Sequence, residues 1–169
     1  MREITTALDQ TMAELLHLVS SLDEEQINGI PFEGSWTAGQ LVQHLILSSS
    51  GFIEVINGPV QETGRAPDER VEQIRADFLN FDTRVEAADF LNPPAIRYDK
   101  AELLRSLEDI RSRLREAAET LDLTPTCRAF ELPVYGYLTR LEALSFVLYH
   151  TQRHIHQLRR IIENVVNPA

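Results

Sequence analysis

Apolar residues recur every three or four positions along most of the chain, which is the spacing of one face of an α-helix. In the first stretch this pattern is formed by Ile4, Leu8, Met12, Leu15, Val19 and Leu22. Runs that alternate between apolar and polar residues, as half-buried β-strands do, are nearly absent. The pattern therefore predicts an all-α protein.

Four stretches with this pattern are long enough to form major helices. They cover approximately residues 2–22, 37–56, 99–121 and 139–166. The second and the fourth begin with capping boxes, Thr37-Ala38-Gly39-Gln40 and Thr139-Arg140-Leu141-Glu142, whose side chains satisfy free backbone N–H groups. The second ends at Asn57-Gly58-Pro59, because proline cannot continue the helical hydrogen bonds.

The segment between residues 60 and 99 joins the second and third of these helices. Pro67-Asp68-Glu69-Arg70 is typical of a helix start. A short apolar face follows at Val71, Ile74, Phe78 and Leu79. Asn92-Pro93-Pro94 ends whatever precedes it, because a residue before proline avoids the helical conformation. We therefore expect an up-and-down-type four-helix bundle with a shorter helical crossover segment, in one domain spanning residues 1–169.

Composition and charge narrow the class of protein. Of the 169 residues, 43% are apolar, which is enough for a buried core. Sixteen basic and 26 acidic residues give a formal net charge of −10, which repels phosphate backbones and anionic bilayers. We therefore expect no nucleic-acid partner and no membrane partner.

The location of the protein is predicted from its cysteine content and its apolar runs. The single cysteine, Cys127, cannot form an internal disulfide and suits a reducing compartment. No apolar run approaches the ~20 residues of a membrane span, and the first residues do not have the pattern of a signal peptide. These features predict a cytoplasmic protein.

Two of the five histidines, His150 and His154, stand one turn apart on the fourth predicted helix. Their side chains differ by about 40° around the helix axis. The same side of the helix carries apolar residues, including Ala143, Val147 and Leu158, so the pair faces the interior. Buried imidazoles are costly unless their ring nitrogens find partners, and two at this spacing can bind one metal ion.

The second predicted helix offers a third histidine, His44. Ser48 lies one turn further on the same face, and its small side chain leaves space for a pocket. Together, His44, His150 and His154 would supply three nitrogen ligands and leave coordination positions open, as catalytic metal sites do. Three nitrogen donors suit a divalent ion such as Zn²⁺ or Ni²⁺.

Other chemically distinctive residues are assigned structural roles. His17 and His156 are predicted to be exposed on their helices. Trp36 is interpreted as a packing residue at the start of the second long helix, and Cys127 as an unreactive loop thiol.

Two stretches of the chain resemble a known family. Ser35–Leu45 (SWTAGQLVQHL) is similar to the W-[ST]-x6-H-[LI] signature of DinB-like (YfiT-like) four-helix bundle proteins. Tyr149–Leu158 (YHTQRHIHQL) is similar to the H-x3-H-x2-Q element near the C-terminus of that family. The order and separation of the two stretches also agree with the family.

The resemblance implies a metal-dependent bundle with His44, His150 and His154 as ligands, and a homodimer. Relatives include transferases that join low-molecular-weight thiols (bacillithiol, mycothiol or glutathione) to electrophiles, and a thiol-dependent isomerase. The partners implied are therefore a small-molecule thiol and an electrophile.

Four function classes stay open: a metal-dependent thiol S-transferase, a metal-dependent hydrolase, a non-catalytic bundle that binds a metal or a small ligand, and a dimerising helical module without a metal. Three neutral imidazoles leave the charge of a divalent ion uncompensated, which favours an anionic fourth ligand such as a thiolate. Zincin hydrolases have a glutamate directly after the first histidine, where this chain has Thr151. The sequence therefore favours thiol transfer over hydrolysis.

Overall fold

The computed structural model describes residues 2–83 and 89–167. These residues form six α-helices, one 3-10 helix and two short strands. The helices are α1 (Arg2–Ser20), α2 (Glu24–Asn28), α3 (Ala38–Asn57), α4 (Val71–Leu79), α5 (Lys100–Thr120) and α6 (Arg140–Val166). The 3-10 helix is Asp89–Leu91, and the strands are β1 (Val60–Gln61) and β2 (Thr126–Cys127). The prediction of an all-α protein is confirmed.

The four long helices bury their apolar faces against one another. Helices α1 and α3 each pack against both α5 and α6. Each long helix contributes fully buried leucines to the shared core, among them Leu15, Leu41, Leu107 and Leu144. None of the described helices combines the length and the apolar character that crossing a bilayer requires.

Helices α3 and α6 begin where their capping residues predict. Thr37 Oγ1 accepts a hydrogen bond from Gln40 N at 3.1 Å, and Gln40 Oε1 accepts one from Thr37 N at 3.0 Å. The predicted capping box of α6 is also present, with Thr139 and Glu142 as its two members. Both caps fix the start of a helix that carries histidines.

Helix α2 was not predicted from the sequence. The first predicted helix extended to Leu22, but α1 ends at Ser20 and a separate helix of five residues follows. Its capping box is formed by two residues: Gln26 N donates to Asp23 Oδ1 at 2.8 Å, and Asp23 N donates to Gln26 Oε1 at 2.9 Å. Because α2 buries only Ile27, its hydrophobic pattern is too short to show a helical period.

The two strands were also missed. They pair antiparallel, with Val60 opposite Cys127 and Gln61 opposite Thr126. Two residues cannot show an alternating pattern, so the sequence gave no signal. The pairing places Cys127 in β2 rather than in a loop, fully buried, and burial raises the pKa of its thiol.

The crossover segment is held against the start of α3. The predicted short helix is confirmed as α4, which packs on α6 and buries Ile74 and Phe78. Further along, Tyr98 N donates to Asn28 Oδ1 at 2.7 Å, and Asn28 Nδ2 donates to Tyr98 O at 3.0 Å. A Cβ atom on Gly39 would lie 2.9 Å from Tyr98 Cδ2, so glycine lets this ring contact the first turn of α3.

Candidate metal centre

The three predicted site histidines lie on the facing sides of α3 and α6. His44 is in the second turn of α3, and His150 and His154 are near the middle of α6. The side chains of His44 and His150 are 2% and 8% exposed, and His154 is half-buried. The structure therefore brings all three imidazoles together at the contact between two long helices.

The Nε2 atoms of the three rings converge. His44 Nε2 lies 3.2 Å from His150 Nε2, and His154 Nε2 lies 3.1 Å from the same atom. The potential ligand atoms of the trio all lie within 4.8 Å of one another. The two helices thus aim three nitrogen atoms at one small volume.

The other ring nitrogens point outward and have separate partners. His44 Nδ1 lies 2.9 Å from the carbonyl oxygen of Leu91, and His154 Nδ1 lies 3.0 Å from Gln157 Oε1. His150 Nδ1 is 3.5 Å from Ser48 Oγ. A carbonyl oxygen only accepts, so the Nδ1 atoms of His44 and His154 carry hydrogens and their Nε2 atoms carry lone pairs.

This assignment leaves the centre of the trio short of donors. With both rings neutral, the Nε2 lone pairs of His44 and His154 point at His150, whose Nε2 can carry one hydrogen at most. A single hydrogen cannot fully satisfy two acceptors, and buried acceptors without donors are costly. A cation at the centre would satisfy all three nitrogens.

The separations fit a metal ion. Zinc–nitrogen bonds of about 2.0–2.1 Å place two imidazole nitrogens about 3.3 Å apart at a tetrahedral angle, and about 2.9 Å apart at a right angle. The observed 3.1 and 3.2 Å lie between these values. The cluster is therefore compatible with a bound metal ion.

Burial keeps the three rings neutral. It lowers the pKa of His154 to about 3 and that of His150 well below its ordinary value, and neighbouring histidine and Arg153 charges act in the same direction. Burial also lowers the pKa of His44, although the hydrogen bond with Leu91 opposes this effect. Neutral imidazoles are the form that binds metals, so no proton competes near neutral pH.

Aromatic rings surround the cluster. Phe146 stacks on His150 with ring centroids 5.5 Å apart, and Phe78 meets the same imidazole edge-on at 5.8 Å. The ring centroids of Trp36 and His44 are 5.2 Å apart, so Trp36 contacts the cluster as well as packing at the start of α3. These rings provide an apolar wall, which strengthens electrostatic interactions inside it.

Arg153 lies on α6 between His150 and His154 and is half-buried against the end of α4. Its guanidinium donates to the carbonyl oxygens of Phe78 at 3.2 Å and Asn80 at 2.9 Å, and also to that of Thr83. The last carbonyls of a helix lack partners within it, which is why a cation binds there. The hydrogen bonds of Arg153 therefore hold the end of α4 against α6, beside the histidine pair.

The remaining predicted residues lie outside the cluster. His17 is exposed on α1, as expected. His156 is also exposed, and its ring stacks on Phe81 with centroids 4.0 Å apart and planes 6° apart. Neither histidine contributes to the convergent trio.

Sequence reasoning gave no role to two groups that contact the outer nitrogens of the imidazoles, the Leu91 carbonyl and the Gln157 amide. A signal for the first exists in the chain, because a continuing 3-10 helix would offer the Leu91 carbonyl the N–H of residue 94, and Pro94 has none. That oxygen is thereby left for His44. Gln157 stands in the quoted motif, but nothing in the motif indicated what it contacts.

These features define a class: a helical protein with a buried cluster of three imidazoles, compatible with a metal ion, between two of its helices. The chain belongs to the DinB superfamily, because the model of that family matches residues 7–158. The resemblance found in the two motifs is thus confirmed.

Similarity to a curated protein extends over nearly the whole chain. The chain is 23% identical over 162 residues to YuaE of Bacillus subtilis (strain 168), an uncharacterized protein. The matched region covers 93% of this chain and 96% of YuaE. No solved structure is similar enough to this chain to count as a match.

Proposed function

We propose that His44, His150 and His154 bind one divalent ion, Zn²⁺ or Ni²⁺, and that the protein uses it as a low-molecular-weight thiol S-transferase. The observation that carries this proposal is the convergence of three neutral Nε2 atoms. Among the described residues, the group that could hold an ion contains histidines and no carboxylate. The donor set therefore adds no negative charge to a divalent ion.

The charge of the donor set supports a thiol as the ligand. An ion held by three neutral imidazoles keeps its full positive charge and attracts an anionic ligand. When bound, the ion would lower the pKa of a thiol so that its thiolate is available at neutral pH. In the transfer itself, a bond forms between the thiol sulfur and the electrophilic carbon, the bond to the leaving group breaks, and the thiol proton passes to water.

The residues of the chain supply orientation and a dry environment. The Leu91 carbonyl and the Gln157 side-chain carbonyl accept hydrogen bonds from the Nδ1 atoms of His44 and His154. Phe78, Phe146 and Trp36 exclude water from the sides of the cluster. His154 is the most exposed of the three ligands, so we expect small molecules to enter from its side.

Elemental analysis tests the metal site. Protein purified without a histidine tag should contain about one Zn²⁺ or Ni²⁺ per chain. The His44→Ala, His150→Ala and His154→Ala variants should lose it, because each removes one of three ligands. His17→Ala and His156→Ala are matched controls, since both residues are exposed helix histidines outside the trio. Metal-free protein that gains no thermal stability from added Zn²⁺ or Ni²⁺ would overturn the proposal.

Cobalt substitution tests whether the site accepts a thiol. A Co²⁺-loaded sample should change its visible absorption when a small thiol is added, because an open site gains a sulfur ligand. A closed, non-catalytic site would give no change, which would contradict the transferase proposal. A hydrolase would instead release product from an ester or amide without consuming a thiol.

The space beside the ligands is tested by Ser48→Leu. Ser48 is buried next to His150, and a larger side chain there should weaken thiol binding more than it lowers the free energy of unfolding. Ser49→Leu is a control at an equally buried neighbour of a different face. Unchanged thiol affinity in Ser48→Leu would show that the pocket lies elsewhere.

The assembly and location are further parts of the proposal. We propose a homodimer, because the family that the chain resembles pairs through its helices, and sedimentation of the loaded protein tests this. We also propose a cytoplasmic location, which the lone, buried Cys127 supports. A monomer at micromolar concentration would contradict the first of these proposals.

A further inference from the structure

Gln157 lies one turn after His154 on α6 and contacts its outward nitrogen. Gln157 Oε1 is 3.0 Å from His154 Nδ1, and the two residues are three positions apart. Side chains at this spacing are neighbours on a helix surface. The hydrogen bond thus forms within one helix and depends on no other element.

His154 has more need of an orienting contact than the other two histidines. The rings of His44 and His150 are almost completely buried, and Trp36 and Phe146 pack against them. His154 is half-buried at the edge of the cluster. A half-turn of its ring would exchange Nε2 for a carbon atom at the centre of the trio, so a specific acceptor at Nδ1 decides whether the lone pair faces the other two histidines.

We propose that Gln157 is a positioning residue that fixes the tautomer and the ring orientation of His154 as a metal ligand. The inference rests on the metal site proposed above and adds to it a residue that contacts no ion. Acceptors on the outer nitrogen of a metal-bound histidine hold the ring in place, and their loss typically lowers metal affinity 10–100-fold. Gln157 supplies this acceptor without adding a charge to the site.

The chain contains a matched control for Gln157. Gln152 is also a half-buried glutamine on α6, and its Nε2 donates to Thr11 Oγ1 at 3.2 Å. It contacts α1 rather than the cluster. Replacing either glutamine by leucine removes one hydrogen bond from the same helix, but only one of the two bonds orients a histidine.

The experiment measures Zn²⁺ affinity by competition with a chromophoric chelator. Gln157→Leu should bind Zn²⁺ about 10–100-fold more weakly than the unmodified protein. Gln157→Glu should restore most of the affinity, because a carboxylate also accepts from Nδ1. Gln152→Leu should keep the affinity within about twofold, on the order of 0.4 kcal/mol. The Co²⁺ absorption of Gln157→Leu should also differ from that of the other proteins.

One further measurement keeps the outcomes distinct. Thermal unfolding of the metal-free variants shows whether Gln157→Leu is folded, and the Glu variant gives a reading even if it is not. Equal affinity in Gln157→Leu and the unmodified protein, an equal loss in Gln152→Leu, or no restoration by Gln157→Glu would each overturn the positioning role. Failure of the unmodified protein to bind Zn²⁺ would instead overturn the metal site itself, and the role of Gln157 with it.

Discussion

Two individual residues are held in states that cost free energy. The hydroxyl of Thr151 is buried without a hydrogen-bond partner, next in sequence to His150. Val134 has a φ of 75°, in the left-handed region that β-branched residues avoid, and its side chain is 89% exposed. It lies in a tight turn closed by hydrogen bonds between Leu132 and Gly136. At both positions, a substitution that removes the unfavourable state should stabilise the protein.

Thr151→Val should stabilise the protein. Valine has nearly the same shape as threonine and lacks the hydroxyl, so the substitution removes an unsatisfied buried group worth about 1 kcal/mol. The free energy of unfolding in urea should rise by that amount. Thr11→Val is the control, because it removes the acceptor of Gln152 and should lower the stability. A loss of stability in Thr151→Val would show that the hydroxyl has a partner.

Val134→Gly should also stabilise the protein. Glycine adopts a positive φ without the steric cost of about 1–2 kcal/mol that other residues carry, although its greater freedom in the unfolded chain offsets part of the gain. We expect a net gain on the order of 0.5 kcal/mol in urea unfolding. Val60→Gly, in β1, should destabilise, because glycine weakens a strand. A loss in both variants would contradict the account of strain.

Only some of the individual residues of the candidate site could be predicted from the sequence. Helical periodicity put His44, His150 and His154 on inward faces, because a side chain's direction on a helix depends on its position alone. The acceptors at the outer nitrogens could not be predicted in the same way. The Leu91 carbonyl belongs to the backbone of a segment without regular periodicity, and its position depends on how the crossover folds back onto α3.

Among the elements of secondary structure, the start of α6 is tied to the connection before α4 by one buried carboxylate. Glu142 is fully buried and accepts hydrogen bonds from Arg65 Nη1 at 2.5 Å and Nη2 at 2.6 Å. The backbone N–H groups of Arg70 and Thr139 donate to the same carboxylate, both at 2.9 Å. Glu142 thus caps its own helix and joins it to the N-terminal end of α4.

Glu142→Gln should destabilise the protein by about 3 kcal/mol at neutral pH, because it removes the buried carboxylate that both terminal nitrogens of Arg65 contact and leaves only the more distant, exposed Glu69. Burial by itself would raise the pKa of Glu142, but the hydrogen bonds from Arg65, Thr139 and Arg70 hold it below the ordinary value of 4.5. The stabilisation is therefore complete above pH 4.5 and is lost as the pH falls through the folded-state pKa.

Urea unfolding between pH 3 and pH 7 measures this dependence. The difference between the unmodified protein and Glu142→Gln should shrink as the pH falls below about 4.5. Glu163→Gln, at an exposed position of the same helix, should differ little from the unmodified protein at any pH. A difference that stayed constant down to pH 3 would rule out a lowered pKa for Glu142.

The elements that could be predicted are those whose signals are local. The capping boxes at Thr37 and Thr139 placed the starts of α3 and α6 to within a residue, because a cap involves only four neighbouring positions. Strands β1 and β2 are two residues each, and they exist because two distant connections meet. That meeting depends on tertiary packing, which no pattern within either connection records.

At the scale of the whole molecule, the proposed metal site would couple ion binding to global stability. An ion that binds only the folded protein stabilises it by mass action, by about 2.7 kcal/mol when its free concentration is 100 times the dissociation constant. Such a gain raises the melting temperature of a domain of this size by roughly 5–10 °C. Added Zn²⁺ should produce this shift in scanning calorimetry, and a chelator should reverse it.

The control for this prediction is the variant that combines His44→Ala, His150→Ala and His154→Ala. It should unfold at the same temperature with and without Zn²⁺, since it has no ligands left. An equal shift in this variant would mean that the ion acts elsewhere on the protein.

The separation of His44 and His150 along the chain has a consequence for the entropy of the unfolded state. The two residues are 106 positions apart, so an ion shared between them would close a loop over most of the chain. A covalent cross-link closing a loop of about that length removes on the order of 4–5 kcal/mol of chain entropy from the unfolded state. With a single cysteine, this protein has no disulfide of its own to do so. Coordination by imidazoles would give it a cross-link that thiols cannot reduce. Unlike a disulfide, this cross-link would open when the metal is removed.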